Sequence, residues 1–151
     1  MPTFDTKHTV KHSADDMFQL VADIEKYPKF VPLCHQLQIR GRRPLSDERE
    51  VIVADMTVAY KFIRETFTSR VTLDKEAKEI FVEYLDGPFK HLENRWSFLA
   101  IDEQKSTVGF YIDYEFKSRA LSALMGSMFD RAFRKFSRAF ENRADEVYGA
   151  A

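Results

Sequence analysis

Cysteine is almost missing from this chain: Cys34 is the only one in 151 residues, so no intrachain disulfide forms and a reducing compartment is expected. Long apolar runs are missing too. No stretch is long enough to cross a bilayer, and Met1 to His12 mixes polar with apolar residues instead of forming the continuous core of a signal peptide. The expected location is therefore the cytoplasm, with any membrane contact made peripherally from the inner face. Neither sign of charge is in excess. With 23 Lys and Arg against 24 Asp and Glu, the net charge is -1, which gives no reason to expect DNA or any other nucleic acid as the main partner.

Several chemistries lack their residues. Arg40-Gly41-Arg42-Arg43 has too little glycine for a phosphate-binding loop. His8, His12, His35, His91 and Cys34 form no zinc motif, and the spacing of His8 and His12 falls in a strand-like segment, where it lacks the geometry it would have on a helix. Cys34 beside His35 has no third group to orient a nucleophile. No metal and no required cofactor are expected.

Phenylalanine is abundant. There are 14 Phe beside 6 Tyr and 1 Trp, so much of the apolar volume is aromatic, as a Phe-rich core, a cavity or a docking surface. Hydrophobic residues at 44% and charged residues at 31% describe an ordinary globular chain, and its length suits one domain over residues 1–151.

The periodicity predicts a first strand over Phe4 to Val10. Ser13 then caps a short amphipathic helix with Asp15 and Asp16 in its first turn and Met17, Phe18, Leu20, Val21 and Ile24 at helical spacing. Glu25 to Pro32 reads as a second short helix ending in a loop. Strand-like segments follow at Leu33 to Arg43, Glu50 to Val58, Phe62 to Leu73, Glu79 to Leu85, Leu92 to Ile101 and Thr107 to Lys117. The last alternates most cleanly, with Val108, Phe110, Ile112, Tyr114 and Phe116 on one side. The period then lengthens. Leu121, Leu124, Met125, Met128, Phe129, Ala132, Phe133, Phe136 and Phe140 trace one face of a helix from about Ser118 to Val147.

This order implies an α+β fold, in which a curved antiparallel sheet of about seven strands wraps a long C-terminal helix and two short helices follow the first strand. One helix is narrow, so the space beneath it is either a packed core or an apolar slot. A bound tail losing ~500 Å² of apolar surface would gain ~12 kcal/mol before association costs. A polar head group would need donors from among Tyr60, Arg64, Tyr84, Arg95, Trp96, Tyr111 and Tyr114.

Certain segments are more specific. Met17 through Pro32, Phe67-Thr68-Ser69-Arg70-Val71, Leu85-Asp86-Gly87-Pro88-Phe89-Lys90-His91-Leu92 with Trp96-Ser97-Phe98, and Ala139-Phe140 with Arg143-Ala144 and Val147-Tyr148-Gly149 stand in one order. Together they resemble the coenzyme Q-binding, polyketide cyclase-like branch of the START-related helix-grip superfamily. That resemblance implies a helix-grip fold over nearly the whole chain, and non-enzymatic binding of a ubiquinone-type isoprenoid quinone in support of respiratory electron transfer. It also implies two alternatives: a bacterial ribosome-associated toxin that hinders joining of ribosomal subunits, and a cyclase. The sequence offers no acid/base constellation that demands the cyclase.

The candidate ligand-contacting residues are Tyr27, Phe30, Phe67, Tyr84, Phe89, Trp96, Phe110, Tyr114, Met125, Met128, Phe129, Phe133 and Phe136. Tyr27, Pro28, Phe30, Val31 and Pro32 read either as an apolar mouth in transient contact with a membrane surface or as packing against the sheet edge. From Arg119 to Arg143, six basic and two acidic residues leave a local +4. Anionic lipid head groups, ribosomal RNA or solvent alone would each suit that surface together with Arg40, Arg42 and Arg43.

Overall fold

A computed structural model describes residues 3–149; the outermost residues of the expected domain, 1, 2, 150 and 151, lie outside the described residues. Strand β1 (Thr3–Val10) leads into helix α1 (Ala14–Ala22) and a 3-10 helix (Ile24–Lys29). Six strands follow: β2 (Cys34–Pro44), β3 (Arg49–Tyr60), β4 (Ile63–Asp74), β5 (Glu79–Asp86), β6 (Phe89–Asp102) and β7 (Lys105–Phe116). Helix α2 (Arg119–Tyr148) ends the described chain. Every strand pairs antiparallel with its neighbour in a seven-stranded sheet of order β1-β7-β6-β5-β4-β3-β2. The helix-grip architecture implied by the sequence is thus the one observed.

Local chemistry explains the boundaries. The Ser13 hydroxyl accepts from the Asp16 amide at 3.0 Å, so α1 begins where the cap and its acidic first turn stand. The Ser118 hydroxyl accepts from the Leu121 amide at 3.1 Å and starts α2 in the same way. Strand β6 begins earlier than its alternation suggests. Gly87 sits at φ 144°, and a Cβ there would lie 2.6 Å from the Phe67 Cβ, so Gly87-Pro88 makes a tight turn and Phe89 is already paired with Phe116.

Register irregularities that leave an extra residue on β2, β5 and β6 bend the sheet around α2. The concave face carries Ile52 and Ala54 of β3, Val71 and Leu73 of β4 and the alternating residues of β7, all buried. Helix α2 buries Met125, Met128, Phe129, Ala132, Phe133, Phe140 and Ala144 against them. One member of the expected stripe departs from it: Leu124, on the flank of the stripe, is 55% exposed while the adjacent Met125 is fully buried.

Histidines fasten the long helix to the sheet's far end. His8 Nε2 lies 2.9 Å from Glu141 Oε1, and the buried His12 has Nε2 2.7 Å from Asp145 Oδ1. Four-residue spacing on the helix side places both carboxylates on one face. Among the described residues no group of three or more His, Cys, Asp or Glu gathers as a metal site would require. No helix there is long and apolar enough to cross a membrane.

Candidate ligand cavity

Between the concave sheet and α2 lies a cavity of about 100 Å³. Its floor is the inward side of the sheet, including Leu37, Ala54, Met56, Ser69, Val71, Val82, Asn94 and Ile112. Phe129, Ala132, Phe133, Phe136 and Phe140 form the helical wall, and Tyr27, Val31, Pro32 and Leu33 close one side. An apolar cavity of about 150 Å³ holds a benzene ring and stays dry when empty. The present one is smaller than that.

Of the residues expected to contact a ligand, Tyr27, Phe67, Trp96, Phe129, Phe133 and Phe136 line the cavity together. The structure does not bring Phe30, Tyr84, Phe89, Phe110, Tyr114, Met125 and Met128 onto its lining. The reason is packing among aromatics. Phe89 stacks on Phe116 at 4.9 Å between centroids and meets Tyr84, Tyr114 and Phe129 edge-on, which fills that end of the grip with side chains. Phe110 lies under Trp96 at 4.7 Å and behind Phe136. Met125 is buried one turn before the cavity wall, and Met128, next to Phe129, is buried off the lining.

In the segment from Tyr27 to Pro32, Tyr27, Phe30 and Val31 pack inward while Pro28 and Lys29 are exposed. The Tyr27 hydroxyl donates to the Val21 carbonyl, and Tyr27 and Phe30 both meet Phe140 edge-on at 5.3 and 5.0 Å. Burial raises the Tyr27 pKa above the usual phenol range, with Cys34 and Asp23 adding to the rise. Burial likewise pushes the Cys34 thiol up to about 11. Leu33 takes φ 68°, a conformation that is strained for a branched side chain, and its carbonyl accepts from the Ala59 amide at 3.0 Å.

The expected polar head-group donors are mostly elsewhere. Tyr60, Arg64 and Arg95 are exposed; Arg64 lies beside His35, and Arg95 rests on the Phe81 ring. Tyr111 belongs to the outward face of β7. The Tyr84 hydroxyl accepts from the Phe89 amide at 3.0 Å, while burial raises its pKa. Tyr114 is fully buried; burial, and then the Asp130 charge, push its hydroxyl up to about 12. Only Trp96 of that set lines the cavity.

Two other polar residues do. Ser69 and Asn94 are 6% and 8% exposed, and each occupies a position whose alternation points inward: Phe67, Ser69, Val71 on β4 and Leu92, Asn94, Trp96 on β6. That parity was readable in the sequence, but a polar residue on an apolar face is easily passed over. Arg70 and Arg143, by contrast, are ion-paired outside, to Glu83 at 3.2 Å and Glu146 at 3.3 Å.

Chemically, the cavity offers an apolar surface, a tryptophan face and two neutral hydrogen-bonding side chains. Comparisons with known proteins place this geometry. Residues 10–141 match the family described as polyketide cyclase / dehydrase and lipid transport. The chain is 33% identical to ribosome association toxin RatA of Escherichia coli, over 99% of this chain and 91% of that protein. It is 30% identical to the mitochondrial coenzyme Q-binding protein COQ10 homolog B of Xenopus laevis, over 91% of this chain but 55% of that one. Among solved structures, an 18 kDa protein of Caulobacter crescentus is 35% identical with TM-score 0.79, covering 99% of this chain and 100% of that one. A Streptomyces aromatase/cyclase superposes with the same TM-score of 0.79 at 17% identity, over 99% of each chain, a likeness of fold alone.

Proposed function

Because the chain belongs to the polyketide cyclase / dehydrase and lipid transport family, we propose that it binds a hydrophobic small molecule without transforming it. The finer reading is a ubiquinone-type isoprenoid quinone held in support of respiratory electron transfer. The observation that carries this is the cavity itself, an apolar space walled by Phe129, Phe133, Phe136 and Trp96. Desolvation would supply the affinity, at about 25 cal/mol per Å² of apolar surface buried. A name also supports the choice of quinone, that of the coenzyme Q-binding relative.

Catalysis is the weaker reading for a physical reason. Tyr27 is the titratable side chain of the lining, and its hydroxyl is already engaged by the Val21 carbonyl with its pKa raised, so it is a poor acid or base near neutrality.

At about 100 Å³ the cavity is too small for a quinone with its tail, so uptake requires the wall to move. The segment from Tyr27 to Leu33 is the natural part to yield, since it packs through edge-on aromatic contacts and carries the strained Leu33. A peripheral membrane contact would then deliver the lipid.

Ribosome association is a second reading, favoured by the names of the bacterial relatives and by Arg131, Arg134, Lys135 and Arg138 exposed along α2. Native mass spectrometry of the protein after gentle extraction tests the first reading. A bound species of quinone mass is expected; an empty protein that also takes up no quinone in a direct titration would overturn it. Salt-sensitive sedimentation with a ribosomal subunit, persisting after lipid removal, would instead support the second.

A further inference from the structure

The Ser69 hydroxyl is buried and has no hydrogen-bond partner among the described residues, although it sits on the floor of the cavity. An unpaired hydroxyl in an apolar site is costly, and a native protein tolerates it where a ligand or water completes the bond. The second polar group stands diagonally across the sheet. Ile52, Val71, Val82, Asn94 and Ile112 form one cross-strand row, and Ser69 lies in the adjacent row, opposite Ala54 and Tyr84. β5 separates the two strands, so the backbones are roughly 10 Å apart across the sheet. Concave curvature directs both side chains toward the same space.

Asn94 is held in place. Its Nδ2 donates to the Tyr111 carbonyl at 2.9 Å, which anchors the carboxamide to β7 and leaves its oxygen free of that bond. The cavity lining contains no Asp, Glu, Lys, Arg or His among the described residues. A carboxylate or phosphate entering it would be desolvated without a counter-charge.

We infer that Ser69 and Asn94 form a polar subsite that receives the uncharged, oxygen-bearing head of the ligand, a carbonyl or hydroxyl group, and that the cavity discriminates against lipids with ionised heads. Ser69 donates to a carbonyl or accepts from a hydroxyl, and Asn94 offers the second hydrogen of its Nδ2 to a carbonyl or its Oδ1 to a hydroxyl. This rests on the lipid-binding reading and adds to it the chemistry of the head and the residues that read it.

Quenching of Trp96, the only tryptophan and part of the lining, reports binding directly. The probes are a decyl-substituted benzoquinone, and decylbenzene and dodecanoate as competitors against it. In the wild-type protein the quinone should bind about tenfold or more tighter than decylbenzene, and dodecanoate at pH 8 weakest. Ser69→Ala should weaken the quinone by about five- to tenfold and leave decylbenzene unchanged. The same variant should unfold at an equal or higher temperature, because it removes an unpaired hydroxyl; Asn94→Leu serves as the second variant, checked for its melting transition first. Equal losses for headed and headless probes, or no loss, would overturn the subsite while leaving lipid binding intact. If no probe binds the wild-type protein, the lipid-binding reading fails, and the subsite with it.

Discussion

Phe133 is the side chain on which core and cavity meet. It is 8% exposed, lines the cavity, and touches Phe4, Tyr114, Phe129 and Phe136. A carboxylate there would lose those contacts and stand desolvated with no cation on the lining. Phe133→Asp is therefore expected to cost at least about 3 kcal/mol in urea unfolding and to abolish ligand uptake. Unchanged stability with unchanged uptake would place this face of α2 elsewhere. Cys34 makes a second prediction. With its pKa raised from 9.0 to about 11 by burial, its thiolate fraction at pH 8 is lower by about a hundredfold, so alkylation should be slow in the native protein and fast in denaturant. The sign for stability follows. Below pH 9 the thiol is neutral in both states and its contribution is complete; as pH rises from 9 toward 11 the unfolded chain ionises first and the contribution is lost. Urea midpoints at pH 8 and pH 10 should fall in that direction, with the raised tyrosines Tyr27, Tyr84 and Tyr114 extending the loss to higher pH.

Among the elements, the β5–β6 turn is the least replaceable. Gly87→Ala would impose a strained φ and drive a methyl into the Cβ of Phe67, a residue of the cavity lining. A loss of about 2 kcal/mol or more is expected, together with weaker ligand binding, measurable by urea titration and by Trp96 quenching. The order and type of the elements were legible because burial on one side imposes its period: two for β7, near 3.6 for α2. The early start of β6 was less legible, since Gly-Pro signals a turn without giving its length. Leu124 shows the limit of a helical stripe. Its spacing is correct, yet it lies on the flank of the stripe and turns to solvent while the adjacent Met125 is fully buried.

For the whole molecule, the relevant quantity is the coupling of ligand to fold. A ligand that binds only the folded protein should stabilise it by about 2.7 kcal/mol when present at a hundred times its Kd. A rise in the thermal midpoint on adding the decyl benzoquinone, larger than with dodecanoate at the same concentration, checks this at the scale of the molecule. A protein that serves only a ribosomal subunit, through its exposed basic α2 surface, would show no such rise with the quinone, because a quinone that does not bind the folded state cannot stabilise it.

Alternation and helical spacing by themselves determined which residues face inward, and hence the curved sheet gripping a long helix. They also held the clue to Ser69 and Asn94, whose positions are inward by parity. Tertiary structure alone decided which inward side chains meet empty space and which meet each other. Phe89, Phe110 and Tyr114 are as inward as Phe67 and Trp96, but neighbouring rings fill the space before them. Period is a property of one strand or one helix. A cavity is a mismatch of volumes between elements far apart in sequence, and it exists only once β4, β6 and α2 have been brought together.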